Sequence, residues 1–208
     1  MKTISIIPLA ICCSAVTAFA TEPATLPFEN DQVKVIRALE KAHVKGKFHE
    51  HKPNRVMIYL GAGRQRFEYQ DGRQPEVFDW KPGQVVWSKA DGMHSPEVIG
   101  DEPFSIIEVE LKKPGTGKTL SGPHDALKAD PKHYKMELEN DQVRVLRVKL
   151  GAHETTPMIA HSVNSVAVLL TPAPTHKAGE ATWKPAGTYK DENPGDSPVE
   201  MVVVEVKD

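Results

Sequence analysis

Short stretches of alternating hydrophobic and polar residues run along most of the chain, with Gly and Pro between them. The run that begins at Val33 alternates in polarity, which is the pattern of a strand with one buried face. Residues 66–70 and 75–80 flank an Asp71-Gly72 turn and predict a hairpin. Short strands with this punctuation predict an all-β sandwich or barrel.

The chain also repeats itself. Residues 28–41, FENDQVKVIRALEK, match residues 138–151, LENDQVRVLRVKLG, over a length that makes chance agreement improbable. Further resemblances follow in the same order, between residues 83–92 and 181–187 and between residues 104–112 and 199–207. The sequence therefore predicts two tandem copies of one unit.

The repeat predicts the domain organisation. The first unit is assigned to residues 21–113 and the second to residues 135–208. The segment between them, residues 114–134, is rich in Gly, Pro, Lys and Asp and is typical of a linker.

The N-terminal residues 1–20 have the features of a secretory signal peptide. Lys2 supplies a positive charge, residues 4–16 are apolar but too short to span a bilayer, and residues 18–20 form a small-x-small cleavage site. We predict cleavage after Ala20 and a periplasmic or secreted protein.

Cysteine content and charge then narrow the class of protein. The two cysteines, Cys12 and Cys13, lie in the signal peptide, so the mature chain has neither disulfides nor a thiolate metal site. The net charge of the whole chain is −2 and no basic stripe is present, which argues against nucleic acid as a partner. No later segment predicts a membrane span. Exposed sheet edges would favour a homodimer, although two units in one chain could cover each other.

Two histidines separated by one residue are the strongest sign of chemistry. On a strand, side chains at positions i and i+2 share a face, so His49 and His51 point to one side and Glu50 to the other. His94, from a nearby strand, would complete a trio of neutral imidazoles. Such a trio suits a divalent metal and leaves coordination positions open. The alternative is three unrelated histidines.

The histidines and the glycines around them resemble the two motifs of the cupin superfamily. The matching residues are Gly46, His49, His51, Arg55 and Gly61 for the first motif, and Gly83, Gly92 and His94 for the second. The resemblance implies two tandem cupin barrels, also called double-stranded β-helix or jelly-roll barrels. It also implies a metal held by the three histidines, with Fe(II) expected first and Zn, Mn, Ni or Cu as alternatives.

Arg55 is a departure from the cupin pattern, which usually places a carboxylate ligand near this position. Arg55 shares strand parity with His49 and His51, and a cation beside a divalent metal is unfavourable unless an anion lies between them. Three interpretations stay open: Arg55 binds an anionic substrate, it turns to solvent, or the metal site is lost.

The second copy has lost most of the motif. Ile159 aligns with His49, His161 aligns with His51, and His94 aligns near Lys190. We therefore expect a degenerate second cupin with a structural role.

These observations leave two functions open. The first is a dioxygenase-like metalloenzyme that acts on a small, anionic, oxygenated molecule, with Arg55 as the catalytic residue that stabilises the anion. The alternative chemistry for such an enzyme is isomerisation or lyase activity through a metal-stabilised enolate, which requires a general base. The second is a non-catalytic module that binds a metal or a small ligand.

Overall fold

The structure of the protein, a computed structural model, describes residues 25–208 and is built almost entirely from strands. The predicted signal peptide lies outside the described residues. The described elements are β1 (Thr25–Glu29), β2 (Val33–Glu40), β3 (His49–His51), β4 (Arg55–Tyr59), β5 (Gly63–Tyr69), β6 (Glu76–Trp80), β7 (Val85–Ser88), β8 (Asp91–Val98), β9 (Phe104–Leu111), α1 (Ala126–Ala129), β10 (Tyr134–Glu139), β11 (Val143–Leu150), β12 (Ile159–His161), β13 (Ser165–Leu169), β14 (Ala181–Lys184), β15 (Gly187–Tyr189) and β16 (Val199–Val206).

The strands form four antiparallel sheets, two from each half of the chain. Strands β1 to β9, here called the first unit, form a five-stranded sheet in the order β1-β2-β9-β4-β7 and a four-stranded sheet in the order β3-β8-β5-β6. Strands β10 to β16, the second unit, form a five-stranded sheet in the order β10-β11-β16-β13-β14 and a two-stranded sheet, β12-β15. The prediction of an all-β fold is confirmed.

The sequence repeat reappears as equivalent strand pairings. Trp87 lies opposite Val56 in the first unit, and Trp183 lies opposite Val166 in the second. The units differ at one place, because the second has no counterpart of β5 and β6. A short loop joins β13 to β14 instead, as the shorter sequence in that region suggests.

The larger hydrophobic core is shared by the two units. It contains alternate residues of both five-stranded sheets, including Val35, Ile58 and Val109 from the first unit and Val145 and Val204 from the second. The two five-stranded sheets therefore pack against each other through one face. The opposite face of each sheet lines the interior of its own unit.

The segment between β9 and β10 contains a helical turn that the sequence analysis did not predict. Asp125 precedes α1, and its side chain accepts a hydrogen bond from the backbone N–H of Leu127 at 3.2 Å. This cap satisfies a donor that the start of a helix leaves free. No helix among residues 25–208 is long and apolar enough to cross a membrane.

Candidate metal centre

Strand pairing brings the three predicted histidines together. His49 and His51 lie at the two ends of the three-residue strand β3, and Glu50 between them is exposed on the other side. β3 pairs with β8 so that His49 lies directly opposite His94. His94 is buried, with 5% exposure, and the other two histidines are half-buried. Alternation along β3 and this register therefore place all three side chains on one interior face.

The three imidazoles form a compact cluster. Their ring centroids are 4.9 Å apart for His49 and His51, 4.8 Å for His49 and His94, and 5.5 Å for His51 and His94. One nitrogen from each ring lies within 4.8 Å of the others. These separations suit three ligands around one ion, whose bonds to imidazole nitrogen are about 2 Å long.

Each imidazole has an acceptor for one of its nitrogens. The Nδ1 of His49 donates to the backbone carbonyl of Lys47 at 2.8 Å, and the Nδ1 of His94 donates to the carbonyl of Gly92 at 3.0 Å. The Nδ1 of His51 lies 3.5 Å from Oε1 of Glu110, a long contact. A carbonyl or carboxylate oxygen can only accept, so these contacts place the proton on Nδ1 and the lone pair on Nε2. Metal-binding histidines are usually oriented in this way.

The environment keeps two of the three imidazoles neutral. Burial lowers the pKa of His51 to about 3, and the positive charge of Arg55 contributes to the shift. Burial also lowers the pKa of His94, against the hydrogen bond to Gly92. A neutral imidazole is the form that binds a metal, so this donor set fits a divalent ion.

Arg55 faces the interior of the first unit. Its residue exposure is 5%, and its Nη1 lies 3.5 Å from Oε2 of Glu108 on the neighbouring strand β9. The interpretation in which Arg55 turns to solvent is therefore wrong. Strand alternation places Arg55 inside, as its shared parity with His51 suggested.

The buried guanidinium of Arg55 is incompletely paired. Its Nε and Nη1 atoms have no hydrogen-bond partner among the described residues, and neither does Oε2 of Glu108. An unpaired buried donor is costly, more so when it is charged. Burial raises the pKa of Glu108, while Arg55 opposes that shift. Arg55 therefore presents free N–H groups to the interior, where an anionic ligand would satisfy them.

A second group of ligands overlaps the first. His51, Glu108 and Glu110 also have donor atoms within 4.8 Å of one another. Each of these carboxylates already has a cation nearby, because Glu108 contacts Arg55 and Glu110 lies 3.6 Å from Nζ of Lys34. Those cations would compete with a metal for the carboxylates. The histidine trio has no such competitor in contact, and we therefore favour it.

Two cavities adjoin this cluster. A polar cavity of about 150 Å³ is lined by the three histidines, Arg55 and Glu108, among others. A second cavity of about 180 Å³ has largely aromatic walls. Arg55 and His94 line both cavities. The candidate metal centre thus has space for a small molecule beside it.

In the second unit, other side chains stand at the positions that correspond to the histidine cluster. Ile159 lies opposite Tyr189, as His49 lies opposite His94, so the counterpart of His94 is Tyr189, one residue before the expected Lys190. The ring of His161 stacks on Tyr189 with centroids 4.2 Å apart. Both nitrogens of His161 are buried without a hydrogen-bond partner among the described residues. One histidine with an aromatic neighbour is a poor metal site.

Glu110 is the residue that the sequence analysis missed. It lies on β9 in the stretch FSIIEVEL, where its parity with Glu108 places both carboxylates on the inner face. That parity was a usable signal. Arg66 on β5 pairs with Glu97 on β8 at 2.5 Å, and the side chain of Arg66 is 42% exposed. This pair therefore lies away from the histidine cluster.

Comparison with solved structures identifies the class of fold. The chain superimposes on AerE from Microcystis aeruginosa with a TM-score of 0.62 and 12% sequence identity, over 89% of this chain and 98% of that chain. A variant of oxalate decarboxylase from Bacillus subtilis gives a TM-score of 0.61 and 14% identity, over 86% and 69% of the two chains. A cupin 2 conserved barrel domain protein from Leptotrichia buccalis gives 0.55 and 11%, over 88% of each.

The protein therefore has the fold of cupin barrels, as its histidine motifs suggested. At these identities the comparison shows the fold and not the activity. No protein-family model matches the chain, and no curated protein sequence matches it.

Proposed function

We propose that this protein is a two-unit cupin that binds one divalent metal ion through His49, His51 and His94 and acts on a small anionic molecule. One observation carries the proposal: the three imidazoles converge, and each has its Nδ1 next to an acceptor, which leaves Nε2 free to bind. The second unit is proposed to be a degenerate cupin with a structural role. The N-terminal twenty residues support a location outside the cytoplasm.

The proposed metal is Fe(II). Three neutral ligands leave the charge of a divalent ion uncompensated, which favours an anionic substrate in the remaining positions. When bound, such an ion supplies Lewis-acid and redox chemistry, and oxidative cleavage by O₂ is the reaction that we propose. Zn, Mn, Ni and Cu are the alternatives, and oxalate decarboxylase from Bacillus subtilis, which shares this fold, has Mn(II) centres.

Arg55 is the residue proposed to bind the anionic group. Its two unpartnered N–H groups face the cavity that the histidines line. Inside a protein a charge-assisted hydrogen bond to an anion is stronger than a neutral one. Arg55 would hold the substrate's negative charge beside the metal cluster and fix the orientation of the molecule.

A second candidate is a non-catalytic cupin that binds a metal or a small ligand. The observation in its favour is that an arginine, and not a carboxylate ligand, faces the cluster at position 55. Oxygen consumption in the presence of small acids separates the two functions, because a binding module would take up the acid without consuming O₂.

Metal content is the first test. Protein purified without a His tag is expected to contain about one equivalent of metal by elemental mass spectrometry, and His49→Ala and His94→Ala are each expected to lose it. His124→Ala, a change at an exposed histidine, is the control and should keep the metal. Wild-type protein without metal, or metal that survives both changes, would contradict the proposal.

Arg55→Gln tests the anion site separately. Metal content is expected to stay unchanged, while the dissociation constant of oxalate, used as a small anionic probe, rises about 10- to 100-fold because a charged hydrogen bond is lost. Calorimetric titration with oxalate gives the dissociation constant, and elemental mass spectrometry gives the metal content. Arg66→Gln, on the outer face of the same unit, is the matched control and should bind oxalate like the wild type. Unchanged oxalate affinity in Arg55→Gln would remove Arg55 from the site.

A further inference from the structure

The hairpin of β5 and β6 presents a row of aromatic side chains to the cavity beside the histidines. Phe67 and Tyr69 on β5, and Phe78 and Trp80 on β6, all line the cavity of about 180 Å³. Val77, the residue before Phe78 on β6, is 46% exposed, as expected for the outer face of the same strand. The aromatic residues therefore occupy one face of the hairpin, and that face looks inward.

The second unit shows that this hairpin is not required to build the fold. It has no counterpart of β5 and β6, yet it forms the equivalent five-stranded sheet and the equivalent pairing of β12 with β15. It has also lost two of the three histidines. The unit with the histidine trio has the aromatic hairpin, and the unit without the trio lacks it. This joint presence suggests that the hairpin serves the site.

The size and shape of the cavity suit a flat ring. Phe78 and Trp80 are nearly parallel, with centroids 5.2 Å apart, and Tyr59 stacks on Trp80 at 4.2 Å. Phe67 meets Phe78 edge to face at 5.6 Å. An apolar cavity of about 150 Å³ in another protein holds one benzene molecule, so the cavity of about 180 Å³ here has room for one six-membered ring.

The polar side chains at one end of this cavity indicate which chemical group the ligand carries besides its ring. Arg55 and His94 line both the aromatic and the polar cavity, so a ring between the aromatic walls would have its substituents beside the histidines. The free Nε and Nη1 of Arg55 are the available donors there. Asp91 also lines the aromatic cavity, but Arg73 pairs with it at 2.9 Å.

We propose that the substrate is a molecule with a single aromatic ring that carries an anionic oxygen group. The ring lies against the hairpin residues Phe67, Phe78 and Trp80, and the anionic group binds Arg55 beside the histidine cluster. This inference rests on the proposed function, of which it names the substrate class. Phe78 determines the preference for a ring, because it is half-buried and faces the cavity.

The test compares two probes with the same 2-hydroxy acid group. Mandelate carries a phenyl ring where lactate carries a methyl group, and each is titrated calorimetrically into the metal-containing protein. Mandelate is expected to bind about 10- to 100-fold more tightly than lactate because the ring is buried. Phe78→Ala should reduce the preference about three- to tenfold without changing lactate affinity. Val77→Ala, at the neighbouring outward position, is the control.

The outcomes separate this inference from the function on which it rests. A ring preference that falls in Phe78→Ala and persists in Val77→Ala supports the inference. Equal affinity for both probes in protein that contains metal, or a preference that survives in Phe78→Ala, overturns it and leaves the metal site standing. Absence of metal overturns the proposed function, and the comparison of the two probes then decides on the ring site alone. Phe78→Leu, which removes the ring but leaves a larger apolar side chain than Ala, replaces Phe78→Ala if that variant is unstable.

Discussion

A pair of residues at the candidate metal centre recurs in the second unit. His51 Nδ1 lies 3.5 Å from Glu110, and His161 Nδ1 lies 3.7 Å from Glu205 at the equivalent register. Each carboxylate also contacts a cation on the adjacent strand: Lys34 on β2 for Glu110, and Arg144 on β11 for Glu205. The histidine–glutamate pair is therefore part of the shared framework of the repeat. His49 and His94 complete that framework as the candidate metal centre.

Glu110→Gln is expected to weaken metal binding without abolishing it. The amide cannot act as a charged acceptor for Nδ1 of His51, so the ligand nitrogen becomes less basic and less well oriented. Loss of such a partner lowers metal affinity about 10- to 100-fold, which a competition titration with a chelator measures.

Glu205→Gln is the internal control for that change. It alters the equivalent carboxylate in the unit without the trio, so metal affinity should stay at the wild-type value. Equal losses of metal affinity in both variants would indicate general destabilisation and would contradict a specific role for Glu110.

The histidine trio could be predicted from the sequence, whereas Glu110 was found only in the structure. A spacing of i and i+2 and a recognisable motif identify His49, His51 and His94 without any knowledge of sheet register. Glu110 is 59 positions from its partner His51, and its approach depends on the pairing of β4 with β9. Contacts of this kind depend on which strands become neighbours and in which register, and residue spacing within a single strand does not give that information.

At the scale of elements, the sequence predicted where strands lie better than it predicted which of their faces are buried. Alternation in polarity predicted strands at Val33 and around the hairpin, and the structure has strands there. β4 and β16 are buried on both faces, with burial at almost every residue, because one face meets the other unit and the opposite face lines the interior. A strand buried on both faces loses the alternation that would show which side is inside.

The segment that connects the two units, residues 114–134, makes buried contacts that its composition did not predict. Its Gly and Pro content suggested a linker, but Asp125 within it is buried and binds Nη2 of Arg144 at 2.7 Å. Arg144 also binds Glu205 and the backbone carbonyl of Leu120. Part of the segment is thus fixed to the second unit by a buried ionic network.

Asp125→Ala is expected to lower the free energy of unfolding by about 1.5–3 kcal/mol, because a hydrogen bond to a buried charge and a helix cap are both lost. Urea denaturation measures the change. Asp101→Ala removes a carboxylate whose side chain is 94% exposed and should change stability by less than about 1 kcal/mol. Equal stability of the two variants would show that the segment is not held through Asp125.

At the scale of the whole molecule, the two units cover each other. Their five-stranded sheets share one buried core, which is the arrangement that a repeated unit can provide within one chain. The homodimer stays a prediction, although this packing already removes a large apolar face from water. The second unit therefore supplies half of the core that buries this face of the first unit.

The shared core predicts that the two units unfold together. Ile58 from the first unit and Val168 from the second are both fully buried in that core. Ile58→Ala should cost about 2–5 kcal/mol and Val168→Ala about 2 kcal/mol. For a chain of this size each kcal/mol lowers the melting temperature by about 2–4 °C.

Differential scanning calorimetry should show a single transition in the wild type and in both variants, and each change should lower the temperature of that same transition. Val77→Ala, at an exposed position of the first unit, should leave it in place. The two units unfold in one cooperative transition if unfolding of either unit exposes the core of the other. The faces of the two five-stranded sheets that share this core meet that condition. Two transitions, with Ile58→Ala moving only one and Val168→Ala only the other, would mean that each unit is stable alone and that the packing between their sheets contributes little.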